Sequence, residues 1–318
     1  MYFPYVRGRQ YELLALRDLA KNDLLGNYVI PIIEPVKLSP TLVNVMADFI
    51  EVNHPISIIR NPEVGTFMSD WQDVEEQSKE AKYKQRFSDQ YEDSFIIKSL
   101  LMQKDTESLL EDWKKKGVNK ADLLVVSTDR DYLDLYKNEF GTTSPRYVLM
   151  PDESVFRRKV LCNKVLFDDK FEKQARNADY KDTDDEFFSD DHLYYKEDGF
   201  VGFSDYSVIG NEYLEAGFAP YAVAIHIVYF APDKTLRVKH FVSDSNEDIS
   251  DPAKKFYEAV SKLYEWYSSD PHPVELTLGL QTFLRHFQQE TYPGLGTVKK
   301  LSLMHHLELM GKFLSSRE

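Results

Sequence analysis

The feature of this chain that most constrains its fold is a repeated alternation between short apolar runs and longer amphipathic segments. The runs are rich in Ile and Val, stop at Pro, Asn or Asp, and occupy residues 28–35, 55–62, 94–102, 121–129, 146–152 and 163–169. Their apolar residues are continuous rather than alternating, which is typical of strands covered on both faces of a parallel sheet. Residues 3–6 and 198–205 add two more runs, so the sequence predicts eight strands.

The amphipathic segments between these runs predict helices. We place them over residues 10–21, 40–52, 70–85, 105–116 and 129–140, and the last two open with Asp, which suits the positive end of a helix. Eight strands alternating with helices favour an α/β fold of the (β/α)8, TIM-barrel-like type. An open doubly wound parallel sheet is the alternative, because only about ten residues separate the sixth and seventh strands.

The pattern changes after residue 210. Residues 221–244 predict an antiparallel β-hairpin that turns at 232–234, and helices follow over 251–268, 273–290 and 297–314. We therefore predict a barrel over residues 1–210 and a C-terminal hairpin and helical appendage over 211–318, packed on the barrel. An acidic insertion of about residues 170–198 separates the seventh and eighth strands, and a solvated loop is the favoured interpretation of it.

Composition excludes several classes of protein. The 318 residues carry a formal net charge of −14, and residues 168–198 hold twelve acidic against five basic residues, a net of −7. Such a chain is a poor non-specific binder of nucleic acid, which needs clustered Lys and Arg. No run approaches the roughly 20 apolar residues of a membrane span. The single Cys162 and the absence of a signal-peptide pattern predict a cytoplasmic protein.

Charged residues follow or interrupt several of the predicted strands. Parallel α/β folds place their sites at the carboxyl ends of the strands, where the first three runs end in Arg7, Glu34 and Arg60-Asn61. Lys98 lies inside the fourth run. A lone charge beside an Ile-rich run costs several kcal/mol unless it is paired. Structural ion pairs and a ring of ligand-binding residues explain these positions equally well.

The residue types suggest what such a ring would bind. Guanidinium groups bind phosphate or carboxylate oxygens in bidentate fashion, and lysine adds a point charge. We therefore expect a small anionic, phosphorylated ligand to be bound by Arg7, Arg60, Asn61 and Lys98.

Carboxylates at other strand ends suggest a reaction. Glu34 and Asp205 are the candidate catalytic residues, and Asp168 and Asp169 are candidate ligands for a hard cation such as Mg²⁺. Together with the basic residues they predict a metal-dependent phosphoester hydrolase. The competing hypothesis is a non-catalytic module whose mouth is filled by charge pairs and whose acidic insertion contacts a partner protein. The sequence leaves both hypotheses open.

The opening of the chain resembles the beta-protein family of phages and bacteria. Members begin with a Tyr-x-Pro strand, a basic turn, a helix and a second strand ending in Glu; the matching residues are Tyr2, Pro4, Arg7, Glu12, Leu16, Pro31, Ile33 and Glu34. "VGFSDYSVIG" (201–210) and "PYAVAIHIVYF" (220–230) also resemble segments of one bacterial branch. The resemblance implies a role in phage–host conflict, by analogy alone. It implies no catalytic residue, because the family has no settled active site.

Overall fold

A computed structural model describes residues 1–75, 78–213, 220–269, 271–272 and 274–317. Eight parallel strands form one sheet in which each strand pairs with the next along the chain. They are β1 (Tyr5–Val6), β2 (Ile32–Ile33), β3 (Ile56–Ile59), β4 (Ile96–Leu101), β5 (Leu124–Val126), β6 (Tyr147–Met150), β7 (Lys164–Phe167) and β9 (Gly202–Ser204). Strand β8 (Asp185–Ser189) lies between β7 and β9 along the chain and belongs to a second sheet.

Backbone hydrogen bonds join the first and last strands of this sheet and curl it into a barrel. The amide of Phe3 donates to the carbonyl of Phe203 at 2.9 Å, and the amide of Tyr5 donates to the carbonyl of Asp205 at 2.9 Å. The TIM-barrel-like α/β fold is thereby confirmed. The open doubly wound sheet is wrong, because it would leave β1 and β9 apart.

Helices surround the barrel and follow most strands. They are α1 (Gln10–Lys21), α2 (Pro40–Glu51), α3 (Phe67–Gln72), α4 (Lys79–Gln90), α5 (Thr106–Lys115), α6 (Leu133–Phe140), α7 (Ser154–Lys159) and α8 (Asp191–Tyr194). The helix predicted over 70–85 is instead the pair α3 and α4, and residues 76 and 77 between them lie outside the described residues. The short sixth-to-seventh connection holds only the six-residue α7.

Side chains alternate between the barrel interior and the outer layer beneath the helices, as successive residues of any strand do. Phe3, Tyr5, Ile32, Ile59 and Ile97 belong to the interior cluster. Their strand neighbours, Val6, Ile33 and Ile58 among them, belong to the core between sheet and helices. This alternation decides which of the strand-end residues reach the mouth of the barrel.

The C-terminal part of the chain forms the second sheet and three long helices. The predicted hairpin is confirmed, since β10 (Ala224–Phe230) pairs antiparallel with β11 (Leu236–Val242). The helices are α9 (Pro252–Tyr267), α10 (Leu278–Gln288) and α11 (Leu295–Ser315). The last of these packs against α1, α10 and β10, so it connects the appendage to the barrel.

Part of the acidic insertion forms a strand of this second sheet rather than a solvated loop. Its strand β8 pairs antiparallel with β11. Arg237 donates to Asp185 at 2.7 Å, and the ammonium of Lys239 lies 3.1 Å from Asp184. The basic residues of β11 therefore compensate part of the acidity of the insertion. None of the helices within the described ranges has the length and apolarity that a membrane crossing requires.

Candidate functional site at the mouth of the barrel

A cavity of about 500 Å³ opens where the carboxyl ends of the barrel strands meet. Residues from four different strand ends line it: Tyr5 and Arg7 from β1, Leu101 to Asp105 from β4, Val126, Thr128 and Asp129 from β5, and Phe167 from β7. This is the end at which (β/α)8 barrels hold their sites, and the volume lies in the range of small-molecule pockets. The mouth is therefore the candidate site.

Glu34 is fully buried beside this cavity and holds Arg7 and Tyr5 in place. Its Oε2 atom pairs with Nη1 of Arg7 and accepts the hydroxyl of Tyr5 at 2.7 Å. Its Oε1 atom accepts the amide of Glu63 at 2.9 Å. Glu34 is not among the residues that line the cavity, so its carboxylate positions Arg7 and Tyr5 rather than contacting a ligand there.

Arg7 is the basic residue at the centre of the site. Its Nη2 atom donates to the carbonyl of Asn211 at 2.9 Å, and the rings of Tyr5 and Tyr206 lie 5.5 and 5.3 Å from its guanidinium carbon. Burial by itself would lower the pKa of Arg7, but the Glu34 carboxylate raises it overall. The buried Nε atom has no hydrogen-bond partner among the described residues. Arg7 is thus a cation held in place at the wall of the cavity.

Arg60 and Lys98 do not join Arg7 at the mouth. The guanidinium of Arg60 stacks 4.1 Å from the ring centre of Trp71, and burial lowers its pKa. The ammonium of Lys98 donates to the carbonyl of Tyr91 at 2.8 Å and pairs with Glu92 at 3.0 Å. Each follows an inward-facing isoleucine and so points outward. The predicted basic ring is therefore reduced to Arg7.

Asn61 supports the wall of the site from below. Its Nδ2 atom donates to the carbonyl of Leu101 at 3.0 Å and to the carboxylate of Asp105 at 3.1 Å. Its Oδ1 atom accepts the amide of Leu101 at 2.9 Å. These bonds connect the end of β3 to the end of β4, so Asn61 orients Asp105, which lines the cavity.

Asp205 faces the outer layer and not the cavity. Its Oδ1 atom accepts the hydroxyl of Tyr2 and the amide of Ser207, each at 2.7 Å. Burial raises the pKa of Asp205 to about 7. The alternation along β9 explains this placement, because Phe203, two residues earlier, also belongs to the outer core.

Asp168 and Asp169 are engaged in local contacts. Asp168 lies 3.1 Å from the ammonium of Lys170. Asp169 accepts the amides of Asn211 and Phe171 at 2.8 and 3.2 Å, and burial raises its pKa. Nowhere in the described ranges do three His, Cys, Asp or Glu side chains come together as a metal site. Asp168 and Asp169 are thus hydrogen-bonded or paired within the protein, and the Mg²⁺ site suggested by the sequence stays a prediction.

Several residues of the site were not predicted as ligand-binding. Lys104 and Asp105 lie just beyond β4, Asp129 lies beyond β5, and Tyr206 directly follows Asp205. Asp129 also caps a turn by accepting the amide of Asp131 at 2.9 Å, as the sequence suggested. The signal that could have identified them is their position directly after strands at one end of the barrel. The cavity is lined by Arg7 and Lys104 against Glu63, Asp105 and Asp129.

Comparison with known proteins adds no assignment. No protein-family model, curated protein or solved structure matches the chain. The function is therefore inferred from the geometry of the mouth.

Proposed function

We propose that the protein binds a small phosphorylated ligand in the mouth cavity, with Arg7 contacting the oxyanion. The observation that carries the proposal is the state of Arg7, which lines the cavity and is fixed there by Glu34, Asn211 and two tyrosine rings. A guanidinium fixed in advance loses little conformational entropy when it binds phosphate oxygens.

The acidic residues around the cavity restrict the ligand further. Glu63, Asp105 and Asp129 are exposed and line the opening. Ionised carboxylates accept hydrogen bonds and repel additional negative charge. A ligand with one phosphate near Arg7 and hydroxyl groups near the carboxylates satisfies both requirements, whereas a ligand with several phosphate groups does not.

The proposal is for binding and includes no metal-dependent hydrolysis. Glu34 has both oxygens hydrogen-bonded, and Asp205 faces away from the cavity. Asp168 and Asp169 are held by Lys170 and by backbone amides. The carboxylates that the hydrolase hypothesis requires are therefore committed elsewhere.

Thermal unfolding with a panel of ligands tests the proposal. The panel contains inorganic phosphate, ribose 5-phosphate, glucose 6-phosphate and adenosine 5′-monophosphate. A ligand at 100 times its Kd stabilises the folded state by about 2.7 kcal/mol. Lys104→Met, which removes the second cation of the cavity, should weaken the response. Lys116→Met provides the control, because Lys116 is equally exposed just past the far end of α5 and does not line the cavity.

The proposal is supported if a phosphorylated compound stabilises the wild type and the Lys116→Met variant and stabilises the Lys104→Met variant less. Failure of every compound to raise the unfolding temperature contradicts it. The non-catalytic interaction hypothesis, with the phage-defence role that the resemblance implies, would then become the leading one.

A further inference from the structure

The residues that line the mouth cavity differ in burial and polarity between its bottom and its opening. Tyr5, Leu101, Val126 and Phe167 line it and are buried. Lys104, Asp105 and Asp129 line it and are exposed. The bottom of the cavity is therefore apolar and includes two aromatic rings, while its opening is charged. We call Tyr5, Leu101, Val126 and Phe167 the floor.

The aromatic residues of this region form one packed group beside Arg7. The rings of Tyr5 and Phe167 are stacked with centres 5.2 Å apart, and the ring of Tyr206 lies 5.0 Å from that of Phe167. Tyr206 is partly exposed and also lines the cavity. An aromatic surface thus lies next to the cation proposed to bind the phosphate, and aromatic surfaces favour stacking by planar rings.

We infer that the ligand is a nucleoside monophosphate, an inference that rests on the proposed binding of a phosphorylated ligand by Arg7. The base would lie on the floor against Phe167 and Tyr206. The sugar hydroxyls would donate to Asp105 or Asp129, and the phosphate would accept from Arg7. A simple sugar phosphate fits less well, because it would place hydroxyl groups against the apolar floor without hydrogen-bond partners.

Calorimetric titration of three probes tests the inference on the wild-type protein. The probes are adenosine 5′-monophosphate, ribose 5-phosphate and adenosine. We expect the monophosphate to bind at least about tenfold more tightly than ribose 5-phosphate, because stacking of a base on aromatic side chains contributes a free energy of that size. Adenosine, which lacks the phosphate, should bind more weakly than the monophosphate.

The outcomes separate the two proposals. Equal affinity for ribose 5-phosphate and the monophosphate overturns the nucleotide inference and leaves the binding of phosphorylated ligands intact. Equal affinity for adenosine and the monophosphate overturns the role of the phosphate, and with it both proposals. The absence of binding by all three probes overturns both as well.

Variants of Tyr206 locate the base. Tyr206→Phe keeps the ring and should retain the preference for the monophosphate over ribose 5-phosphate, whereas Tyr206→Leu should reduce it severalfold. Tyr194→Leu replaces a more exposed tyrosine on α8 that does not line the cavity and should change nothing. If the Phe and Leu variants of Tyr206 lose the preference equally, or if neither loses it, the placement of the base is wrong.

Discussion

Arg7 and Glu34 form the ion pair that organises the mouth, and their positions follow from strand alternation. Each lies two residues beyond an inward-facing residue, Tyr5 in one case and Ile32 in the other. The side chain of Glu34 is fully buried, and that of Arg7 is 13% exposed. Removing one partner would leave the charge of the other without compensation in a poorly solvated position.

The first prediction concerns this pair. Arg7→Met should lower the free energy of unfolding by about 3 kcal/mol, because the Glu34 carboxylate would remain buried and unpaired. The double variant Arg7→Met/Glu34→Gln should recover part of that loss, since no buried charge remains. Urea unfolding of the single and double variants measures both effects. Strictly additive losses would contradict the account. Arg17→Met, at a half-exposed surface pair, should cost less than about 1 kcal/mol.

The sequence could identify the charged strand ends but not the direction in which each side chain points. Strands buried on both faces read as continuous apolar runs, so no alternation of polar and apolar residues marks the inward face. Arg7 and Arg60 therefore look equivalent in the sequence, although only Arg7 lines the cavity. Because the sequence does not mark the inward face of a strand, it places Asp205 at the site and gives no signal for Tyr206 beside it.

At the scale of elements, the connection after β3 shapes one side of the mouth. The amide of Glu63 donates to Glu34 at 2.9 Å, and the amide of Thr66 donates to the carbonyl of Val36 at 2.7 Å. Gly65 between them has φ +77°, and a Cβ there would lie 2.2 Å from the carbonyl oxygen of Val36. This connection therefore has no room for a side chain at residue 65.

The second prediction compares two glycines with the same backbone conformation. Gly117 also has φ +77°, but no atom lies within 4 Å of its would-be Cβ. Gly117→Ala should cost about 1–2 kcal/mol, the penalty of the left-handed conformation alone. Gly65→Ala should cost more, about 3 kcal/mol, because the close contact with Val36 adds to that penalty. Equal losses in urea unfolding would show that the Val36 contact is absent in solution.

Helices and strands that follow a local sequence pattern could be predicted, whereas a strand that forms by pairing with a distant segment could not. Helix α1 begins and ends where its amphipathic pattern indicates, at Gln10 and Lys21. Strand β8 has no such signal, because its acidic residues resemble those of a solvated loop. It becomes a strand by pairing with β11, about fifty residues later, whose Arg237 and Lys239 compensate Asp185 and Asp184.

At the scale of the whole molecule, burial lowers the pKa of several histidines and so favours their neutral form. Burial lowers the pKa of His192, His240 and His305 to about 4 and that of His306 to about 3. These residues occupy α8, β11 and α11. His240 also meets His226 across the hairpin, with their Nδ1 atoms 2.7 Å apart.

The third prediction is that acid destabilises the protein below about pH 6.5. Between pH 6.5 and 4 an unfolded histidine is protonated while these buried ones are neutral, so the unfolded state binds more protons. Each such proton costs about 1.4 kcal/mol of stability per pH unit as the pH falls. Asp205, with its pKa raised to about 7, acts in the opposite direction but involves one proton.

Urea unfolding from pH 7.5 to 4.5 measures this dependence. The free energy of unfolding should fall steadily below pH 6.5, and Asp205→Asn should make the fall steeper by removing the opposing group. Stability that is constant or that increases toward pH 4.5 would mean that the histidines are not buried as neutral groups.

The most direct test of the central claim is the affinity of ribose 5-phosphate for the wild type and for Arg7→Lys. Lysine keeps a positive charge opposite Glu34 but loses the planar fork that binds two phosphate oxygens. Arg17→Lys, which does not line the cavity, is the matched control. We expect calorimetry to show binding weakened about tenfold in Arg7→Lys and unchanged in Arg17→Lys. Equal affinities of the wild type and Arg7→Lys would contradict it.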